Sequence, residues 1–254
     1  MHKNSISHIF MEKHEDDFRL AYLLECMQEM DVILPIFNLV QSDGTLYLKE
    51  YRLNSGHAAG IRVACNLYAN VFSKAFIDNC GASEEDLEEM IAGFSQLEVI
   101  RSLVIRRSVI GPRVVPHIAK IKLQIFPSNL ATLKIEKCQI SKQTTLELVK
   151  CLQGKCYIRN LALVGVNFDQ ESVKELCVYL AKKPYVEDLD LSDNRMDPKL
   201  FRLILEALSA LNSLKYINLS WNLFLDKARG PQIGTYVKEE NIIYGRADEP
   251  IDYS

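Results

Sequence analysis

The sequence predicts an α/β solenoid, with short parallel strands stacked into one sheet and a helix after each strand. The sheet is then covered on one side and open on the other. Three observations carry this prediction. An eleven-residue apolar line recurs every 28 residues, starting at Leu130, Ile158, Val186 and Leu214. Between the lines lie stretches with helix-start signals and apolar residues at helical spacing. Apolar residues make up 48% of the 254, enough for one continuous core in an elongated domain.

The line is read most clearly in its four regular copies. Leu130, Leu133, Ile135, Cys138 and Ile140 are followed by Ile158, Leu161, Leu163, Val166 and Phe168. Val186, Leu189, Leu191, Asn194 and Met196 come next, then Leu214, Ile217, Leu219, Asn222 and Phe224. In Leu189-Asp190-Leu191 the leucines sit at period two, so both face one side of a strand and Asp190 faces the other. The Asn or Cys position closes the turn: Asn194 and Asn222 can bond backbone groups of the turn and of the neighbouring copy. Cys138 can do this more weakly and Val166 not at all, so that turn must lean on its neighbours. The pattern resembles the leucine-rich repeat, L-x-x-L-x-L-x-x-N/C-x-L, and its period lies in that family's range. The resemblance covers residues 43–224 and is to the ribonuclease-inhibitor-like subclass. It implies a curved horseshoe with strands on the concave face and helices on the convex face.

Taken in order, residues 1–42 form an N-terminal segment and helical cap. Leu20, Leu23, Leu24 and Met27 make its apolar face, and Pro35 limits a further helix. Extending the period backwards yields Asp43, Leu46, Leu48, Tyr51 and Leu53, then Val71, Phe76 and Asn79 with Lys74 in a core slot. Ile100, Leu103, Ile105, Ser108 and Ile110 follow, giving about seven repeats of 28–30 residues over 43–224. Helices start at Ser83 with Asp86 (a capping box), at Asp169, and at Asp197 followed by Pro198. Pro112 and Pro116 predict a short or irregular helix after Ile110. Residues 225–254 break the period and read as a C-terminal cap or an extended partner-binding tail.

Net charge of −3 speaks against a nucleic-acid arm, and no apolar run is long enough to cross a bilayer. Seven cysteines without C-x-x-C predict reduced thiols in a cytoplasmic protein; Cys26, Cys65, Cys151 and Cys177 read as helical apolar residues. Cys151 and Cys156 lack a nearby His, so no metal is expected. Phosphate-loop, dinucleotide, zinc-protease and nucleophile-elbow motifs are absent from the sequence, so neither a cofactor nor an enzymatic activity is expected.

What remains is the open face. Residues flanking the strand leucines point away from the core: Arg101, Arg106 and Arg107, then Lys134, Lys137 and Arg159, form a basic zone. Glu187, Asp188, Asp190 and Asp193 form an acidic zone, and Tyr216, Asn218 and Trp221 an aromatic end. Tyrosine and tryptophan are enriched at binding hot spots. The expectation is a non-enzymatic protein-protein interaction module, an adaptor or structural subunit of a larger assembly, with cytoskeletal or ciliary association among the family's uses. It would bind protein through the concave face or the tail, with no nucleic acid and no membrane insertion. The resemblance offers two alternatives, a GTPase-activating regulator of a small GTPase and a substrate-receptor adaptor of a ubiquitin ligase.

Overall fold

A computed structural model describes residues 18–28, 40–41, 43–67, 72–121, 131–154, 157–182, 185–208, 211, 213–222 and 242–243. Alternation at period two sets the strands. In β1 (Thr45–Lys49), Leu46 and Leu48 are fully buried while Tyr47 stays half-buried on the opposite side. The same alternation builds β2 (Lys74–Asp78), β3 (Ser102–Arg106), β5 (Thr132–Glu136), β7 (Asn160–Val164), β8 (Asp188–Asp190) and β9 (Tyr216–Asn218). With β10 (Ile242–Ile243) they form one parallel sheet in the order β1-β2-β3-β5-β7-β8-β9-β10. Two further short strands, β4 (Val109–Ile110) and β6 (Gln139–Ile140), pair with each other just beyond the strand ends.

Register ties the sheet to the sequence period. Leu46 pairs with Ala75, then Leu103, Leu133, Leu161, Leu189 and Ile217, at steps of 29, 28, 30, 28, 28 and 28 residues. The step at β2 corrects the sequence reading by one residue. Ala75 and Ile77 fill the core slots, Phe72 is the first buried residue and Cys80 takes the Asn/Cys slot. Lys74 therefore does not intrude on the core; it is exposed and pairs with Asp43 at 2.9 Å. Phe76 turns to the open face.

Among the described residues seven helices precede or follow the strands: α1 (Phe18–Gln28), α2 (Ser55–Leu67), α3 (Glu84–Phe94), α4 (Val114–Lys120), α5 (Lys142–Leu152), α6 (Gln170–Ala181) and α7 (Pro198–Leu208). Each packs on the next, and their apolar residues share one core with the strand leucines, so the helices cover a single side of the sheet. The starts are those expected. Ser83 and Asp86 form a reciprocal capping box, Asp169 accepts from the Ser172 amide, and Asp197 accepts from Lys199 and Leu200. After Ile110 the helix shrinks to seven residues, with Pro116 in its first turn where no amide partner is needed. The apolar face of α1 is rotated from the expected one: Tyr22 and Cys26 are buried, Met27 is exposed and Leu20, Leu23 and Leu24 are half-buried. Gly60 permits that docking, because a Cβ there would lie 2.9 Å from the Tyr22 ring. The expected cap or tail over 225–254 and the segment 1–17 lie outside the described residues, except that Ile242 and Ile243 add β10 beside β9.

Turn closure follows the Asn/Cys slot. Asn194 accepts from the Val166 amide at 2.8 Å and donates to the carbonyls of Leu163 at 2.6 Å and Leu191 at 3.0 Å. Asn222 repeats this on Met196, Leu191 and Leu219. Cys80 and Cys138 donate their thiols to Leu48 and Ile105 in the preceding strand, at 3.4 and 3.5 Å. Val166 leans on its neighbours as required: besides Asn194, the Thr145 hydroxyl donates to its carbonyl. Burial pushes the Cys138 thiol up to about 11, so it stays a protonated donor. Cys26 and Cys65 are buried, and Cys151 and Cys177 are half-buried and unbonded to each other.

Candidate functional site

The open face of the sheet carries three rows of side chains, one per outward position of the strands. The middle row reads Tyr47, Phe76, Val104, Lys134, Ala162, Asp190 and Asn218. The row at the strand ends reads Lys49, Asp78, Arg106, Glu136 and Val164, so charge alternates across the first four strands. The chain then enters a turn with positive φ, directly after β1, β2, β3, β5 and β7 at Glu50, Asn79, Arg107, Lys137 and Gly165, and three residues beyond β8 and β9 at Asp193 and Trp221. Left-handed backbone is unfavourable for side chains other than glycine. Each turn from Glu50 to Asp193 is held there by its amide, which donates to the carbonyl of Asp78, Arg106, Glu136, Val164, Ser192 or Ser220 in the next strand.

This geometry redistributes the candidate residues. Arg107, Lys137, Asp193 and Trp221 lie on the turns at the strand-end edge, not on the strands. Arg101, Arg159 and Glu187 precede their strands, and their amides and carbonyls link one to the next through Ala131. Lys134, Asp188, Asp190 and Tyr216 stand on the open face itself. Asn218 is buried, donating to Asp190 at 3.0 Å and accepting from the Ser220 amide. Asp190 has structural duties as well, accepting from the Ser192 amide at 2.9 Å and from its hydroxyl. Trp221 is half-buried.

The basic zone is neutralised from within at Arg106 and Arg107. Arg107 makes a two-pronged pair with Asp78 at 2.7 and 2.8 Å, and Glu50 lies 3.7 Å away. Arg106 pairs with Glu136 and places its guanidinium 5.4 Å from the centre of the Phe76 ring. Lys49, Asp78, Arg106, Arg107, Glu136 and Lys137 line an open groove of about 260 Å³ here. At the other end Lys215 bonds Glu187 at 2.7 Å and holds its carboxyl below the usual range. Asp188 makes no ion pair with any described residue.

Two features escaped the sequence. Tyr47 and Phe76 stack with centroids 4.7 Å apart and planes at 7°, beside Val104, which makes an apolar seat over three strands. The one-residue shift at β2 hid it; Cys80 in the Asn/Cys slot was the available signal. The second is a hollow of about 330 Å³ over Ala162, bounded by Lys134, Asn160, Asp188, Asp190 and Tyr216. Burial raises the Tyr216 hydroxyl and the flanking Asp190 and Asp188 raise it further, so it is held protonated as a donor. Among the described residues, no group of His, Cys, Asp or Glu is placed to hold a metal ion, and no helix is long and apolar enough to cross a membrane.

No family model matches the chain. Among curated proteins it is similar to mouse preferentially expressed antigen in melanoma-like protein 7, at 26% identity over 216 residues. The match takes in 79% of this chain and 44% of that protein, so the chain spans less than half the length of its relative.

Proposed function

We infer that this chain is a ribonuclease-inhibitor-like leucine-rich-repeat solenoid of seven repeats whose concave face binds another protein. It serves as an adaptor or structural subunit of a larger assembly and has no catalytic step of its own. The repeat line and the strand steps of 28 to 30 residues support the solenoid. The observation that carries the function is the face of the sheet that no described helix covers. There a stacked aromatic pair and, four strands along, Asp188 and Asp190, which pair with no lysine or arginine among the described residues, stand on one face. Surfaces of this kind, with aromatic anchors and uncompensated charge, are suited to specific protein recognition. Arg106 and Arg107 are engaged by Glu136 and Asp78, which disfavours an arginine offered to a GTPase. The six cysteines among the described residues form no disulfide, which favours a reducing, cytoplasmic setting.

Affinity capture from native tissue tests this, using the wild type and a Val104→Glu/Asp188→Lys variant with unchanged circular dichroism. A partner recovered by the wild type should be lost by the variant. Equal recovery would move the binding surface off the concave face, to the tail from Gly230 onward.

A further inference from the structure

The two features missed by the sequence lie on one row of one face, and together they specify what a partner must present. Phe76 and Asp190 are four strands apart in the middle row. At a strand spacing of ~4.8 Å their backbones are separated by ~19 Å. The apolar seat, Tyr47 with Phe76 and Val104, is bounded by the Arg106–Glu136 pair. The hollow exists because alanine stands at position 162 between Lys134 and Asp190 in a row of larger side chains. Its far wall carries Asp188 and Asp190, and among the described residues no lysine or arginine pairs with either. Asp190 already accepts from Ser192 and Asn218, so its charge is positioned without being cancelled. Asn160, on the same rim, donates to the Thr132 hydroxyl at 3.1 Å.

Resting on the concave-face reading above, we propose that the partner is a protein segment with two anchors. An apolar side chain seats against Tyr47, Phe76 and Val104, and a lysine or arginine enters the hollow over Ala162 to meet Asp188 and Asp190. The cation suits the site because both carboxylates face it from one wall and the floor, Ala162, leaves the depth that a long side chain fills. Tyr216 is excluded as the charge partner, since its hydroxyl is held protonated and can only share a hydrogen bond. A separation of ~19 Å corresponds to about six residues of extended chain or about thirteen of helix.

The test is selection of a displayed library of random 16-residue peptides on the purified full chain, followed by binding of the winners to variants. Ala162→Leu fills the hollow without touching a charge, and Asp188→Lys reverses the charge while leaving the hollow. Asp188 is exposed and Ala162, although buried, faces the hollow, so a melting curve checks the fold of each. The expected result is enrichment of an apolar residue and a Lys or Arg at one of those two spacings. Affinity should fall at least tenfold in each variant, and exchanging the selected basic residue for Gln should do the same. Three results overturn the proposal: no enriched peptide, winners lacking a basic residue, or winners indifferent to Ala162→Leu. Winners that ignore both hollow variants yet are lost in Val104→Glu would refute the two-anchor segment while preserving a concave binding face. Winners that bind all three variants equally would refute both.

Discussion

Asn194→Ala isolates the contribution of the turn ladder to stability. Asn194 is 6% exposed and makes three bonds through one amide group. Alanine removes the acceptor of the Val166 amide and the donor that meets the Leu163 carbonyl. Leu191 is different, because its carbonyl also accepts from Asn222 at 2.8 Å and remains satisfied. Two buried backbone groups therefore lose their partner, each at ~1–3 kcal/mol, for a total of about 2–6 kcal/mol. Asn222→Ala should cost a similar amount through Met196 and Leu219. In the double variant Leu191 loses both donors at once. Its penalty should then exceed the sum of the two singles by about 1 kcal/mol or more, against the usual additivity of separate sites. Urea unfolding followed by the fluorescence of Trp221, with circular dichroism as a second probe, gives the four free energies. A loss below about 1 kcal/mol for Asn194→Ala, or strict additivity in the cycle, would refute the shared-carbonyl argument.

Three further outcomes are expected. Gly165→Ala should cost about 1 kcal/mol from backbone conformation alone, since φ is +65° and a Cβ there meets nothing closer than 3.6 Å; thermal melts of this variant and of the reverse change Lys137→Gly, which should stabilise, check it. Ile77→Ser should cost about 3 kcal/mol or more and Phe76→Ser about 1 kcal/mol; equal losses in denaturant titrations would mean that β2 is registered wrongly. Burial alone would raise the Asp169 carboxyl, but the Ser172 amide and hydroxyl, with Lys142 nearby, hold it below the usual carboxylate range. Because the folded value is depressed, its contribution is present above pH ~4 and lost as pH falls through the folded value; Asp169→Ala should be about 1 kcal/mol less stable at neutral pH and approach the wild type in acid titrations.

Much of the fold was legible because it is written several times over. Leu189 and Leu191, Ile217 and Leu219, and the caps at Ser83, Asp169 and Asp197 each obey a local rule, and the fixed interval lets one copy correct another. The failures occur where the repetition weakens. At β2 the core residue is Ala75, too small to register as a strand leucine, and the larger Phe76 beside it drew the register one residue off. On α1 no second copy exists, and Tyr22 and Cys26 are buried by Gly60 on the neighbouring helix, a contact that spacing within one helix does not reveal.

The face was less legible, for a reason the turns supply. Alternation tells which residues leave the core, but not which of them meet one another. That depends on the left-handed residue after each strand, which turns Arg107 back toward Asp78 in the preceding strand. Adjacent strands lie ~4.8 Å apart, close enough for opposite charges in one row to neutralise each other. The ladder Lys49, Asp78, Arg106, Glu136 does so as far as β5. Strand β7 then presents Asn160, Ala162, Val164 and Gly165, without a charge on its open side or its turn. That uncharged strand is what separates Glu136 and Lys134 from Asp188 and Asp190, and it keeps the acidic stretch from being answered by its own neighbours. A strand that contributes no charge thus gives the face its uncompensated charge, and places the smallest side chain of the row beside it.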